Sequence, residues 1–226
     1  MLAYTASRPS AAGIYRSERR AGSETAMPIA VPPAFAGTRP HQMVGFNHNS
    51  EIYGQGEKAV ALYQVEFGAV RIFRLLSDGR RQISAFHVAG EVFGFEADGE
   101  HHFSAEAICI SGIRIYRLPP DANIAQEILP LALQALVRAQ EHLLVIGRQT
   151  ATERVAAFLI DMMERQGGLE TIDLPMQRTD IGDYLGLTIE TVSRTLSKFK
   201  EKGYIRLPSA RMVELVKVDA LRALCE

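Results

Sequence analysis

The sequence predicts an α+β chain in three parts: an antiparallel β domain, one long helix and a small helical domain. Glycines punctuate β-rich runs at Gly56, Gly68, Gly79 and Gly90, in steps of 12, 11 and 11, a spacing of turns that suits an antiparallel sandwich or barrel. An apolar stripe stepping alternately by 4 and 3 residues follows in "LALQALVRAQEHLLVIG", which is a helical period. Finally, "RTDIGDYLGLTIETVSRTLSKFKEKG" sets a glycine between two short amphipathic stretches, as in two helices joined by a tight turn.

The 226 residues are 47% apolar and 23% charged, enough for one large or two modest cores. No run approaches the roughly 20 apolar residues of a bilayer span, and no signal-peptide pattern opens the chain. A cytoplasmic protein without a membrane partner is therefore expected. Cys109 and Cys225 offer neither metal-ligand spacing nor a disulfide framework. The net charge of −1 hides an asymmetry: residues 188–211 carry six basic and two acidic side chains, 6 − 2 = +4. Local potential is what a polyanion meets.

Taken in order, residues 1–42 mix Ala, Ser, Gly, Pro and Arg without a period, and "MPIAVPPAFAGTRP" holds four prolines; a flexible arm is predicted. Residues 43–128 hold runs such as "ALYQVEFGAVRIFRL" and "RQISAFHV", with "SDGR" at 77–80 as a hairpin turn. A jelly-roll is the economical arrangement. In residues 129–149 a helix is expected after a break at Pro130, with Ala132, Leu136, Ala139, Leu143 and Ile146 along one seam. A coiled-coil dimer and a helix packed on the β domain both explain that stripe. From 150 to 226, Thr150-x-x-Glu153 reads as a capping box opening a second helix with Val155, Phe158, Leu159 and Met162 inward, closed by Gly167-Gly168. Residues 147–150 are then a hinge.

Within 178–203, Ile181 and Leu185 supply the buried face of a first helix, Gly182 allows close approach and Gly186 suits the positive φ of the turn. Thr188 caps a second helix whose inner face is Val192, Thr195, Leu196 and Phe199. At 100° per residue the opposite side carries Glu190, Arg194 and Ser197, flanked by Thr191 and Ser193. "YIRLPSARMVELV" then reads as two strands forming a wing. An acidic residue in a first helical turn, and Glu four residues before Arg, also stabilise a helix by themselves. Yet a carboxylate can accept from cytosine N4 and a guanidinium can donate to guanine, discriminating bases by about 1–3 kcal/mol each. Glu190, Arg194, Ser193, Thr191 and Ile189 are thus the base-reading candidates. Arg178, Thr179, Thr188, Ser197, Lys198, Arg206 and Arg211 are the phosphate-facing ones.

These residues resemble the Crp/Fnr family of bacterial transcription regulators across about 45–226. "GFNHNSEIYGQGEKAVALYQVEFGAVRIFRLLSDGRRQISAFHVAGEVFGFE" is similar to the family's cyclic-nucleotide-binding-type β-roll, and "IGDYLGLTIETVSRTLSKFKEKG" to its winged helix-turn-helix. Glu190, Ser193 and Arg194, with "FHVAGEVFGFE", resemble the Fnr/FixK branch. The resemblance implies a homodimer joined through the long helix, binding double-stranded DNA at an inverted TTGAT-type repeat. It further implies contact with RNA polymerase near Asp78 and Gly79, and control of low-oxygen respiration, denitrification or nitrogen-fixation genes. Residues 1–108 contain no cysteine, so the iron-sulfur sensor of Fnr is not expected. Where cyclic-nucleotide binders place a glutamate and an Arg-Ser pair, this chain has Phe95 and Phe103-Ser104. An aromatic ring cannot anchor a phosphate as arginine does. No cofactor is expected.

Two alternatives remain at this level. One is a regulator of the same fold gated by a cyclic nucleotide or haem. The other is a cupin-like metalloenzyme using His87, His101, His102 and Glu106, although adjacent His101 and His102 would face opposite sides of a strand; surface or loop histidines are the expected reading.

Overall fold

The computed structural model describes residues 43–117, 125–147 and 150–225. The arm expected over 1–42 and the middle of the expected hinge lie outside the described residues. The β domain comprises β1 (Met43–Phe46), β2 (Glu51–Tyr53), β3 (Ala61–Phe67), β4 (Ala69–Leu75), β5 (Arg81–Val88), β6 (Val92–Phe93), β7 (Ser104–Ala107) and β8 (Ser111–Arg117). They form two antiparallel sheets, ordered β1-β8-β3-β6 and β2-β7-β4-β5, the jelly-roll sandwich expected from the turn spacing. Val65, Val70, Ile72, Ala105 and Ile113 pack with the rings of Tyr53, Tyr63 and Phe93 in its interior. In the "SDGR" hairpin joining β4 to β5, Gly79 takes a φ of 81° and the Leu76 N–H donates to the Arg80 carbonyl at 2.8 Å.

The long helix α1 (Ala125–Ile146) contains Pro130 rather than starting after it, a correction to the expected break. Proline removes one hydrogen bond of the ladder. Ile128 and Leu131 compensate on either side of it by packing against Leu62, Val92 and Tyr116 of the β domain, which holds the first turns in place.

The C-terminal domain contains α2 (Ala151–Arg165), β9 (Thr171–Asp173), α3 (Arg178–Leu185), α4 (Ile189–Glu201), β10 (Ile205–Arg206), β11 (Met212–Leu215) and α5 (Val218–Arg222). Thr150 caps α2 as expected: the Glu153 N–H donates to Thr150 Oγ1 at 3.2 Å, and the Glu153 carboxylate reaches back to the cap through the Thr150 hydroxyl, which donates to Oε1 at 2.8 Å. Val155, Phe158, Leu159 and Met162 of α2 meet Ile181, Leu185, Val192, Leu196 and Phe199 in one core. Two elements escaped the sequence reading, β9 and α5, each too short to show a period. Strand β9 completes a three-stranded wing ordered β10-β11-β9, pairing Ile172 with Val213.

The two domains share apolar contacts. Phe86 of β5 lies 4.9 Å from the Tyr184 ring and 6.3 Å from that of Phe158, centroid to centroid. The first helix of the pair that carries the functional candidates, α3, therefore sits directly against the β domain.

Candidate nucleic-acid interface

The turn between α3 and α4 is built from residues that tolerate little change. Gly186 adopts the left-handed conformation, φ 64° and ψ 39°, which a side chain would strain. At Gly182 an added Cβ would stand 2.6 Å from the Leu187 carbonyl oxygen, so the helix and the turn can meet only where there is no side chain. Thr188 then caps α4, its Oγ1 accepting from the Thr191 N–H at 3.2 Å. Val192, Thr195, Leu196 and Phe199 are buried, and this fixes which side of α4 faces outward.

That outward side bears Glu190, Arg194, Ser197 and Lys198, all exposed, with Ile189 at 40% exposure and Thr191 and Ser193 half-buried. The guanidinium of Arg194 donates through Nε to the Glu190 carbonyl oxygen at 3.4 Å. Among the described residues no ion pair joins it to the Glu190 carboxylate, so the expected helical pair is not formed and both charged groups point to solvent. Thr191 leans toward the cap, its hydroxyl 3.0 Å from that of Thr188. Of the remaining candidates, Arg178 is half-buried and Thr179 exposed at the start of α3, and Arg211 is exposed at the wing. Arg206 is tied across the wing to Glu214 at 2.8 Å. This cross-strand pair is a local structural role that the sequence reading missed. Lys198 and Lys200 lie in the last turn of α4, where cations also complement the helix dipole.

The seam on α1 is only partly where it was expected. Leu136, Ala139 and Leu143 are exposed, whereas Ala132 and Ile146 are half-buried within the chain. Leu129, Leu133, Val137 and Leu144 are each more than half exposed, so the outward apolar stripe is rotated from the predicted one. Residue spacing alone fixed the period but not its phase.

The candidate metal ligands do not converge. His101 is buried and stacks on Tyr53 at 3.6 Å, Glu106 binds Arg71, and His87 faces Glu91 at 3.3 Å. His102 is an exposed loop residue as expected, and His101 also lies in the loop before β7 but with its ring buried; His87, on β5, is the one of the three that departs from a surface or loop position. Phe95 lines a cavity of about 310 Å³ with Leu62, Gly94, Ile128 and Ala132, and Phe103 packs on the β core.

Two ionic junctions that no expectation from the sequence included cross the domain seam. In the first, Arg71 of β4 donates through Nη1 to Asp180 Oδ2 at 3.2 Å, through Nε to Glu106 at 3.0 Å and through Nη2 to Asn49 at 2.9 Å. Arg81 of β5 donates to Asp180 and, through Nη2, to Asp183 at 3.0 Å, while Gln82 Nε2 donates to the Asp183 carbonyl at 2.8 Å. In the second, Glu91 binds Arg138 of α1 at 3.1 Å and Arg165 of α2 at 2.8 Å. Burial opposes its ionisation, but His87 and Arg165 outweigh that and hold the Glu91 carboxyl well below the usual carboxylate range. Burial also pushes His87 down, and His142, stacked on Tyr184 at 3.7 Å, is lowered for the same reason. A sequence clue to the first junction did exist: Asp180 stands one turn before Tyr184 on the buried face of α3, an unusual place for a carboxylate without a partner.

A β-roll, a long helix with an outward apolar stripe and a capped helix-turn-helix with a wing define a class. Residues 153–224 match the model of the Crp-like helix-turn-helix domain and residues 43–125 that of the cyclic nucleotide-binding domain. The chain belongs to the Crp/Fnr family of DNA-binding transcription regulators. Within the family its resemblance is to the FixK-type branch. It is 53% identical to the nitrogen fixation regulation protein FixK of Rhizobium meliloti, over 82% of this chain and 88% of that protein. To the FixK of Azorhizobium caulinodans it is 41% identical, over 99% of this chain and 97% of that protein. The solved structure of FixK2 from Bradyrhizobium japonicum superposes with a TM-score of 0.77 at 41% identity, covering 83% of this chain and 98% of that one.

Proposed function

We propose that this regulator binds double-stranded DNA as a homodimer joined through α1. Each α4 enters a major groove of an inverted TTGAT-type repeat and reads bases chiefly with Glu190 and Arg194. The observation that carries this reading is the orientation of α4: one face is locked into the core while the carboxylate and guanidinium stand exposed and unpaired with each other on the opposite face. Groups committed to holding the helix together would be paired; groups held out to solvent are available to base edges. The regulated genes are those of low-oxygen respiration, denitrification or nitrogen fixation, in keeping with the FixK names of the relatives, and activation involves RNA polymerase contacts near Asp78 and Gly79. The protein acts in the cytoplasm and its role is not catalytic; no helix among the described residues is long and apolar enough to cross a membrane.

A cyclic nucleotide is a poor fit as an activating ligand, since Phe95 and Phe103 stand where the resemblance to cyclic-nucleotide binders would put phosphate- and ribose-holding groups, and the cavity that Phe95 lines offers no basic side chain to a phosphate. The test is to compare affinity for an inverted TTGAT repeat and for a single half-site, with sedimentation of the same samples. The reading expects a dimer that strongly prefers the repeat, and expects Leu143→Glu to yield monomers that lose that preference. Equal affinity for repeat and half-site by the unaltered protein would refute it.

A further inference from the structure

The cluster of Arg71, Arg81, Asp180 and Asp183 contains more charge than packing alone requires. Asp180 is only 2% exposed and Arg71 only 6%, and neither charge could remain there alone, because an unpaired buried ion is strongly unfavourable. The two carboxylates stand three residues apart on α3, so both face the same side of the helix, and that side looks toward β4 and β5. Arg81 reaches both of them, while Arg71 is held in place from behind by Glu106 and Asn49. Guanidinium–carboxylate bonds fix direction as well as distance. Since Gly182 packs α3 against the turn at Leu187 and the first residue of α4, Ile189, the angle of α3 against the sandwich sets the angle at which α4 is presented.

We infer that Asp180 and Asp183 are positioning residues for DNA recognition: held by Arg71 and Arg81, they fix the two reading helices of a dimer at one separation and so determine which spacing between half-sites is accepted. This rests on the proposed homodimeric reading of an inverted repeat. None of the four side chains needs to touch DNA. In a two-fold dimer, each head is placed relative to its own β domain, so a head free to pivot would tolerate operators whose half-sites are closer or farther apart than one helical turn, about 10 base pairs. A rigid head would not.

The experiment uses the full chain and a panel of inverted-repeat operators whose central spacer is shortened or lengthened by one and two base pairs. Arg81→Gln and Asp183→Asn are the informative variants, because their side chains are 25% and 32% exposed and the apolar seam around Phe86 is left intact. The expected result is a sharp optimum for the unaltered protein, and for both variants a flattened profile in which discrimination between the best and the neighbouring spacers falls about tenfold. The double variant should lose no more than Arg81→Gln alone, since that substitution already removes the Arg81–Asp183 bond that Asp183→Asn removes. Asp183→Glu, which keeps the charge, should restore part of the optimum. Base preference within the half-site should not change. An unchanged profile, or a uniform loss of affinity with the optimum preserved, would overturn the inference, because either outcome is what a merely stabilising pair would give. Failure of the functional reading is seen separately: the unaltered protein would then show no preference for the repeat, before any variant is made.

Discussion

Arg71 and Arg194 are the same side chain in opposite circumstances. Arg71 is buried at the domain seam and satisfied by Asp180, Glu106 and Asn49; Arg194 is exposed on α4 and makes one long bond to a backbone carbonyl. The carboxylates divide in the same way. Asp180, on the first helix of the pair, is enclosed between two guanidinium groups, whereas Glu190, on the second, faces solvent. Charge turned inward and paired is suited to holding one domain against another. Charge turned outward and left unpaired is suited to recognition, because its hydrogen-bonding capacity has not been used.

Removing each kind of group should therefore be felt in a different measurement. The largest effect is expected from Arg71→Ala, which removes the partner of Glu106 and leaves the buried Asp180 with Arg81 alone; losing one partner of a buried pair costs up to about 3–5 kcal/mol. A denaturant melt should show the loss, and an unchanged midpoint would mean that the seam is not held by this pair. Next is Arg194→Ala, expected to cost about 1–3 kcal/mol on the specific DNA site and to leave the melt unchanged. If the variant unfolds instead, the outward assignment of Arg194 is wrong. Thr188→Ala removes the cap that orients α4 and should lower stability by about 1 kcal/mol, measured by the same melt, with a matching loss of DNA affinity because the helix start carries Glu190.

The smallest effect is gradual and concerns acid. The His87 and His142 pKa values are lowered in the folded chain from 6.5, so below that pH the unfolded chain binds protons that the folded one does not. Stability is then present above about pH 6.5 and declines as the pH falls. Glu91, held below its ordinary 4.5, adds a further loss only below that value, as the pH falls toward its folded pKa. Urea midpoints should drop between about pH 7.5 and about pH 5.5, and His87→Gln should shrink the drop. A midpoint that rises on acidification would contradict the assignment of these imidazoles as buried neutral groups.

The reading surface was largely legible in the sequence because its determinants are local. Thr188, Gly186 and the period of Val192, Thr195, Leu196 and Phe199 define a capped, one-sided helix within fourteen residues of chain, and the opposite face follows from the helical repeat. The seam was not legible, because Arg71 and Asp180 are 109 positions apart and only the folded topology brings them together. The same limit explains α1. Its sequence fixes a period near 3.5, but which stripe turns outward depends on how Ile128 and Leu131 dock on Leu62, Val92 and Tyr116, a contact that no local pattern encodes. The burial of His101 within its loop is not legible for a related reason. His101 is surrounded by polar residues in sequence, yet Tyr53 stacks on it from a distant strand.

The division between holding and reading is tested most directly by selecting bound sequences from a random DNA pool with three proteins in parallel: the unaltered chain, Arg194→Ala and Asp183→Asn. The unaltered chain should select an inverted repeat with one spacing. Arg194→Ala should select half-sites relaxed at one base position with the spacing retained, and Asp183→Asn the same half-sites with the spacing relaxed. If instead the two variants relax the same property, the inward and outward charges do not have separate roles and the account is contradicted.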